Sequence, residues 1–316
     1  MPERRALRVG SRGSELALWQ ARHVAERLAV APHGLPCELV TIRTQGDLIT
    51  DLPLSQVGGR AFFSREIEQA LAAGEVDLAV HSLKDLATAM PDGLALGAVL
   101  PREDPRDVLL TGRGIDLDLD SLPPGARVGT SSLRRRALLA RWRSDLVPTD
   151  LRGNVPTRLR HLEEGRFDAI VLAAAGLLRL GLGERIGTHL PLERFLPAVG
   201  QGAIAVQVRA DDDEVRRRIG ALDDVATRLA VTAERALLAR LEGGCQVPVG
   251  ALAEVRSDRL VLRAVVCSLD GQESVEGRTV GDRNEPGGVG EALAADLLRR
   301  GAGDILATIR RSLAVP

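Results

Sequence analysis

The 316-residue chain has no tyrosine, four phenylalanines and two tryptophans. So few rings argue against a nucleic-acid surface built on base stacking, and they leave the core to Ala, Leu and Val. Cysteine is also sparse. Cys37, Cys245 and Cys267 are odd in number and far apart, and no CxxC occurs. Neither a zinc site nor a disulfide framework is indicated, so a reducing compartment fits better. No apolar run approaches membrane-spanning length, and the first residues, MPERRALRVGSRG, lack the apolar segment of a secretory signal. We therefore expect a cytoplasmic protein with no membrane partner. The net charge of −1 argues against a general polyanion binder while leaving room for local patches. What remains is ordinary for a globular protein, 45% apolar and 27% charged, and long enough for two or three domains.

The chain is organised around EVDLAVHSLKDLATA, residues 75–89. Residues 76–80 read as a buried strand after Gly74. His81, Ser82, Lys84 and Asp85 follow at once. In open α/β sheets, ligands sit just past the carboxyl ends of strands, which is where this polar set falls. A weak surface ion pair between Lys84 and Asp85 is the alternative. His81 reads as a hydrogen-bonded structural residue at a strand end.

Upstream, residues 7–10 form a brief strand. SRGSELALWQARHVAERLA then places Ala21, Val24 and Leu28 at helical spacing, with Ser14 as N-cap. Free N–H groups at this helix start, with Arg12 beside them, suit an anion. An ordinary cap with a solvated arginine explains the same residues. Residues 38–43 read as a strand, 62–74 as a helix and 94–99 as another strand. The βαβαβ order predicts a doubly wound sheet.

Two prolines and dense charge at PREDPRD (101–107) predict a crossing between domains. A second βα series follows. Residues 127–129 form a strand, and Thr130, Ser131 and Ser132 sit where a helix begins. Arg134, Arg135 and Arg136 occupy the first turns of that helix, where cations are unfavourable. The misplaced sign asks for an anionic partner, against the commoner solvated basic face. LRGNVPTRLRHLEEG repeats the device with Arg152, Arg158 and Arg160. Residues 168–172 read as a strand and AAAGLLRLG as a helix carrying Arg179. PAVGQG (197–202) is a second hinge-like stretch, and residues 202–208 alternate as a strand returning to the first sheet. These crossings predict lobe 1 over 1–101 and 198–220, lobe 2 over 102–197, and a cleft between them suited to closure on a ligand.

The remainder, 221–316, reads as a small α+β C-terminal domain. It has a long helix over 225–241, a loop GGCQVPVG (243–250), an antiparallel pair over 252–255 and 260–268, a glycine-rich loop at 285–290, and helices over 291–300 and 305–313. Small neighbours leave the Cys245 sulfur accessible as a covalent attachment point. A small buried hydrophobe is the commoner fate of a free cysteine, and from the residues alone that reading is the stronger. The arginines are the firmest signal. Guanidinium forks bind carboxylates bidentately, and Arg12, Arg134, Arg135, Arg152 and Arg158 all fall at strand ends or helix starts. Such a set suits a ligand with several carboxylates, and Asp85 would be a lone carboxylate among them.

In order along nearly the whole chain, RVGSRGSELALWQ, RTQGD, VHSLKDL, PREDPRDVLL, VGTSSLRR, LRGNVPTRL, FDAIVLAAAGLLRLGL, PAVGQGA and AERALLARLEGGCQVPVG resemble the porphobilinogen deaminase (hydroxymethylbilane synthase) family. The resemblance implies two α/β lobes like type II periplasmic binding proteins plus a C-terminal domain. It implies a transferase of heme and porphyrin biosynthesis that joins four porphobilinogen molecules head to tail into hydroxymethylbilane, releasing ammonia each time. It also implies a dipyrromethane cofactor on Cys245 and a catalytic Asp85 with Lys84 beside it. Arg12, Ser14, Gln20, Thr130, Ser131, Arg134, Arg135, Arg152, Arg158 and Arg179 match positions that hold acetate and propionate groups of cofactor and substrate, and Phe63 matches a residue covering the site. No metal, nucleic acid or membrane partner is implied, and a monomer is expected.

The chain departs from the family pattern at Arg60 and Ala61, where a lysine and a glycine are usual. It also has Gln45 for a lysine, and Leu86 and Ala87 for Val-Pro. None of these touches Asp85 or Cys245. Two rivals stay in view. A non-catalytic two-lobed module for a polycarboxylate predicts an export signal or a DNA-binding domain, and it gives Cys245 no task. A nucleic-acid binder predicts strongly salt-dependent binding to DNA.

Overall fold

The computed structural model describes residues 5–30, 34–48, 64–112, 117–241 and 247–314. The first part of the chain runs β1 (Leu7–Ser11), α1 (Glu15–Val30), β2 (Cys37–Thr41), the single turn α2 (Gln45–Leu48), α3 (Arg65–Ala72), β3 (Leu78–Ser82) and β4 (Leu94–Val99). Next come β5 (Asp107–Thr111), β6 (Arg127–Gly129), α4 (Leu133–Trp142), β7 (Val147–Thr149), α5 (Val155–Glu163), β8 (Ala169–Ala173), α6 (Ala174–Arg179) and β9 (Thr188–His189). The rest is β10 (Ile204–Arg209), α7 (Asp213–Ile219), α8 (Val225–Arg240), β11 (Val249–Arg256), β12 (Arg259–Cys267), β13 (Ser274–Asp282), α9 (Pro286–Arg299) and α10 (Ala302–Ala314). No described helix is long and apolar enough to cross a membrane.

The chain divides into two compact units, one of residues 1–50, 59–103 and 203–228, the other of 51–58, 104–202 and 229–316. The first unit is built on a five-stranded sheet in the order β2-β1-β3-β10-β4. β1 pairs in parallel with β2 and β3, while β10 runs antiparallel between β3 and β4. The alternation of β1, β3 and β10 sends Leu7, Val9, Leu78, Val80, Ile204 and Val206 to one face, under α1 and α7. The other face takes Ala79 beneath Ile67 and Leu71 of α3. Both faces are covered, as a doubly wound sheet requires. The strand predicted over 76–80 starts two residues later and takes in His81 and Ser82. Lys84 and Asp85 then lie in a 3-10 turn, Leu83–Asp85.

The second unit repeats the topology in the order β7-β6-β8-β5-β9. β6 is parallel to β7 and β8, and β5 is antiparallel to β8 and β9. α4 covers one face through Ala137, Leu138 and Leu139, and α5 and α6 cover the other through Leu159, Leu162 and Leu177. β5 begins at Asp107, the last residue of the stretch read as a domain crossing. Its first residue is a buried charge, so the apolar run DVLL does not announce itself as a strand.

A three-stranded antiparallel sheet, β11-β12-β13, with α8, α9 and α10 over it, completes the second unit. The sequence reading found only the β11–β12 pair and took 285–290 as a loop. Both differences come from glycine. On β13, Gly277 and Gly281 stand where apolar side chains would otherwise mark a buried face, because α9 lies directly on them. A Cβ at Gly281 would fall 2.4 Å from a Val289 methyl. In α9, Pro286 occupies the first turn, and Gly290 lets the helix approach α8 so closely that a Cβ would meet the Ala233 carbonyl at 2.2 Å. The C-terminal sheet shares a core with the second unit's larger one: Leu252, Val265 and Cys267 pack with Leu138, Val171 and Phe195.

Candidate active site

In the first unit the polar residues gather at the carboxyl ends of the parallel strands β1 and β3. Arg12 and Ser14 follow β1. Ser14 caps α1, its hydroxyl accepting from the Ala17 N–H at 3.4 Å. Gln20, one turn into α1, is buried and donates its amide N–H to the Ser82 hydroxyl at 2.9 Å. That bond ties the helix to the exit of β3, from which Lys84 and Asp85 project, each half-buried. Asp77, at the far end of the sheet, is held below the usual carboxylate range. Hydrogen bonds from Arg8 and Arg5 outweigh its burial. It is a structural ion pair, away from this group.

His81 stands on the same strand exit. Burial pushes its imidazole down to about 4, and the nearby Arg12 guanidinium pushes the same way. It is therefore neutral at physiological pH.

In the second unit the strand exits of β6 and β7 carry the hydroxyl and arginine set. Ser132 is the N-cap of α4, accepting from the Arg135 N–H at 3.4 Å. Thr130 is buried and accepts from the Ser132 N–H at 3.2 Å. Ser131 clips the next segment, donating to the Leu151 carbonyl at 2.8 Å and accepting from its N–H at 3.2 Å. Asn154 caps α5, and Arg158 folds back to donate to the Gly153 carbonyl at 2.8 Å. Gly153 has φ +102, and a Cβ there would meet Thr157 at 2.7 Å, so the backbone around Arg152 and Arg158 needs glycine. Arg179 is buried and donates to the Gly202 carbonyl at 2.6 Å.

The Arg134 and Arg135 side chains differ from the free forks expected. Both are buried, and both are bound to Asp107, the fully buried first residue of β5. Arg134 Nη1 donates to one carboxylate oxygen at 2.7 Å, and Arg135 Nη2 to the other at 2.7 Å. Gln201 adds a third donor at 2.9 Å. Two guanidiniums hold the Asp107 carboxyl well below its ordinary value despite its burial. The cation run at the start of α4 thus meets an internal carboxylate. One carboxylate against two guanidiniums leaves positive charge over. Arg134 Nε has no hydrogen-bond partner among the described residues.

Sequence reasoning missed Asp107, Gln201 and Glu234. Glu234 is buried in α8 and accepts from the Gly200 N–H at 2.7 Å and the Ala253 N–H at 2.8 Å. The available signal was a lone acid opening or interrupting an apolar run, which inside a protein needs a donor. Cys245 and Phe63, together with Arg60 and Ala61, lie outside the described residues. Among the described residues no group of His, Cys, Asp and Glu is arranged to hold a metal ion.

Known proteins divide the chain between residues 217 and 228, not along the boundary of the two compact units. The family description "Porphobilinogen deaminase, dipyromethane cofactor binding domain" matches residues 7–217, and "Porphobilinogen deaminase, C-terminal domain" matches 228–299. The chain is 52% identical over 304 residues to porphobilinogen deaminase of Moorella thermoacetica, covering 96% of each chain. It is 52% identical over 307 residues to that of Desulforudis audaxviator, covering 97% of this chain and 99% of the other. Among solved structures, a putative methionine-binding lipoprotein of Bacillus subtilis is similar over 69% of this chain and 89% of its own, with a TM-score of 0.42 and 11% identity. The two family matches define an α/β protein with a cofactor-binding part, which takes in both five-stranded sheets, and a separate C-terminal domain. The chain belongs to the porphobilinogen deaminase family.

Proposed function

We propose that this chain is a hydroxymethylbilane synthase: it joins four porphobilinogen molecules head to tail and releases ammonia with each addition. The observation that carries this is the 52% identity over 96% of the chain, and the chain itself contains HSLKD and GGCQVPVG. The polar side chains support it, since in both units they collect at the carboxyl ends of parallel strands. Porphobilinogen carries two carboxylates per pyrrole, so a growing chain needs many cationic and hydroxyl contacts. In the first unit Arg12, Ser14, Gln20 and Lys84 supply them. In the second, Thr130, Ser131, Arg152, Arg158 and Arg179 do so, with the Nε–H of Arg134, which has no partner among the described residues. These donors suit the acetate and propionate groups of a dipyrromethane as well as those of the substrate.

When bound, the dipyrromethane supplies the terminal pyrrole that the first substrate unit joins. The protein's share is binding, orientation and charge. Loss of ammonia from porphobilinogen develops positive charge at the departing carbon and the pyrrole nitrogen. A fixed carboxylate at that point lowers the barrier, and we assign to Asp85, half-buried at the exit of β3, that charge and the passing of a proton between pyrrole nitrogen and leaving amine. Lys84 orients the acid groups. Cys245 is the attachment point, as a thioether, and Phe63 covers the site. Domain boundaries at 101/102, 197/198 and 220/221, a monomeric state, a cytoplasmic location and no nucleic-acid partner complete the reading.

Intact mass of the denatured protein tests it. Active enzyme should carry the added mass of two pyrrole units, and Cys245→Ala should not. A bare polypeptide mass in protein that still turns over would refute the assignment.

A further inference from the structure

Two stretches read from the sequence as crossings, PREDPRD and PAVGQG, meet on one carboxylate. The first ends at Asp107 and the second contains Gln201, and both side chains are fully buried. The Gln201 amide nitrogen donates to Asp107 Oδ1 at 2.9 Å and to the Pro105 carbonyl at 2.8 Å. Neither acceptor has a hydrogen to give, so the amide can face them only through its N–H groups. The carboxylate is thereby tied to the backbone two residues before it. Asp107 then grips its two arginines differently. Arg135 comes side-on: Nε and Nη2 both donate to Oδ1, at 3.1 and 2.7 Å, and Nη1 donates to the Val171 carbonyl at 2.8 Å. Arg134 comes end-on. Its Nη1 is engaged by Asp107 Oδ2 at 2.7 Å and by the Leu196 carbonyl at 2.8 Å. Its Nε is buried and has no hydrogen-bond partner among the described residues. Nε–H and Nη2 form one edge of the guanidinium, the edge by which Arg135 holds Asp107. It is also the edge that takes a carboxylate through two parallel bonds.

We infer that Asp107 and Gln201 are positioning residues that present the Nε–Nη2 edge of Arg134 to one carboxylate of the pyrrole guest. Geometry gives the direction. By taking Nη1, Asp107 leaves the side edge of Arg134 to a ligand, and Phe195 lies against the same guanidinium, its ring centroid 6.0 Å from Cζ. The side chain is 4% exposed, so the edge is held in one orientation. Charge gives the ligand. Two guanidiniums, one carboxylate and a neutral amide leave one positive charge over, and a buried donor without an acceptor is costly until a guest supplies one. The neutrality of Gln201 matters here. A cation in its place would compete with the arginines for Asp107, and an anion would cancel the charge left for the guest. This inference rests on the carboxylate-holding role proposed for Arg134, and it adds the two residues that aim that arginine.

A double-mutant cycle tests it, read by intact mass for cofactor loading and by KM for porphobilinogen. Gln201→Leu should lower the loaded fraction or raise KM by about 10-fold, the first if the carboxylate belongs to the dipyrromethane and the second if it belongs to the substrate. In an Arg134→Lys background, which lacks the Nε–Nη2 edge, the same change should alter either quantity by less than about 2-fold. Parent-like loading and KM in Gln201→Leu, or an effect of full size in both backgrounds, overturns the positioning role. Nitrogen-15 spectra of the Arg134 Nε–H, assigned with Arg134→Lys, supply a test that does not depend on how Gln201→Leu folds. The resonance should move between cofactor-free Cys245→Ala protein and loaded parent, or when porphobilinogen is added to the parent. The same resonance in all three states overturns the inference. Intact mass of the parent reports on the underlying reading separately. A parent that carries two pyrrole units while the cycle is additive fails the positioning role alone.

Discussion

Arg135 Nη2 lies 2.7 Å from Asp107 Oδ1, and neither side chain is more than 7% exposed. The residues are 28 positions apart, and their contact joins the start of α4 to the start of β5. With Arg134 on the other oxygen, a single aspartate holds two adjacent cations inside the protein. Removing it would leave both guanidiniums buried without a counter-charge. Asp107→Asn keeps the shape and removes the charge, and it should destabilise the fold by about 3–5 kcal/mol. Urea unfolding of variant and parent checks this, and a loss under about 1 kcal/mol would place the network among weak surface pairs.

Stability should fall with acid in two stages. His81 is depressed from 6.5 to about 4 in the folded protein, so only the unfolded chain takes up its proton between those values. The contribution is intact above pH 6.5 and declines below it, by about 1.4 kcal/mol per pH unit for one proton. Asp107, Asp77 and Asp104 are all depressed below 3.8, so their contribution is intact above that value and is lost as pH drops beneath it. Unfolding free energy measured from pH 8 to pH 3 should show both declines, and His81→Gln should reduce the first alone, the remainder coming from His189, which burial also depresses.

Asp85→Ala should lower kcat by about 100-fold or more, while the thermal midpoint stays close to that of the parent. The side chain is only half-buried and closes a short 3-10 turn. Parallel melting curves and turnover of cofactor-loaded protein check it. Turnover like the parent's in a folded variant would exclude the carboxylate from the chemistry.

Arg152→Gln and Arg158→Gln should each weaken binding of the carboxylated guest by roughly 10-fold to 100-fold, the range of a lost charge-assisted hydrogen bond. Cofactor loading by intact mass and KM for porphobilinogen are the readouts. Unchanged values in both variants would remove this helix start from the binding surface.

Local pattern made most of this legible. Strands β1, β2, β4, β6, β8 and β10 and helices α1 and α8 follow from apolar periodicity with capping residues, and the parallel sheets from their alternation. What stayed hidden depends on contacts distant in sequence. β5 opens on an aspartate that only the later arginines neutralise. β13 buries glycines in place of apolar side chains, because a helix that follows it needs the room. The arginine run carried a true signal, cations at the wrong end of a helix. The sequence could not show that an acid 27 residues earlier answers part of it. His81 was readable as structural, but the strand that pairs with its own, β10, lies more than a hundred residues away.

α4 is ten residues long, a rod of about 15 Å gripped at both ends. Its first turn is pinned to Asp107. Its last turn is covered by the turn between β12 and β13, where a Cβ on Gly271 would fall 2.3 Å from the Arg141 nitrogen, and Arg141 also pairs with Glu276. The C-terminal hairpin therefore has no slack against the helix that presents the arginines. A protease should not release residues 247–314 as an independent fragment, and melting should show the two parts dissolving together. The segment between α8 and β11, which holds Cys245, is anchored at both ends in this same body.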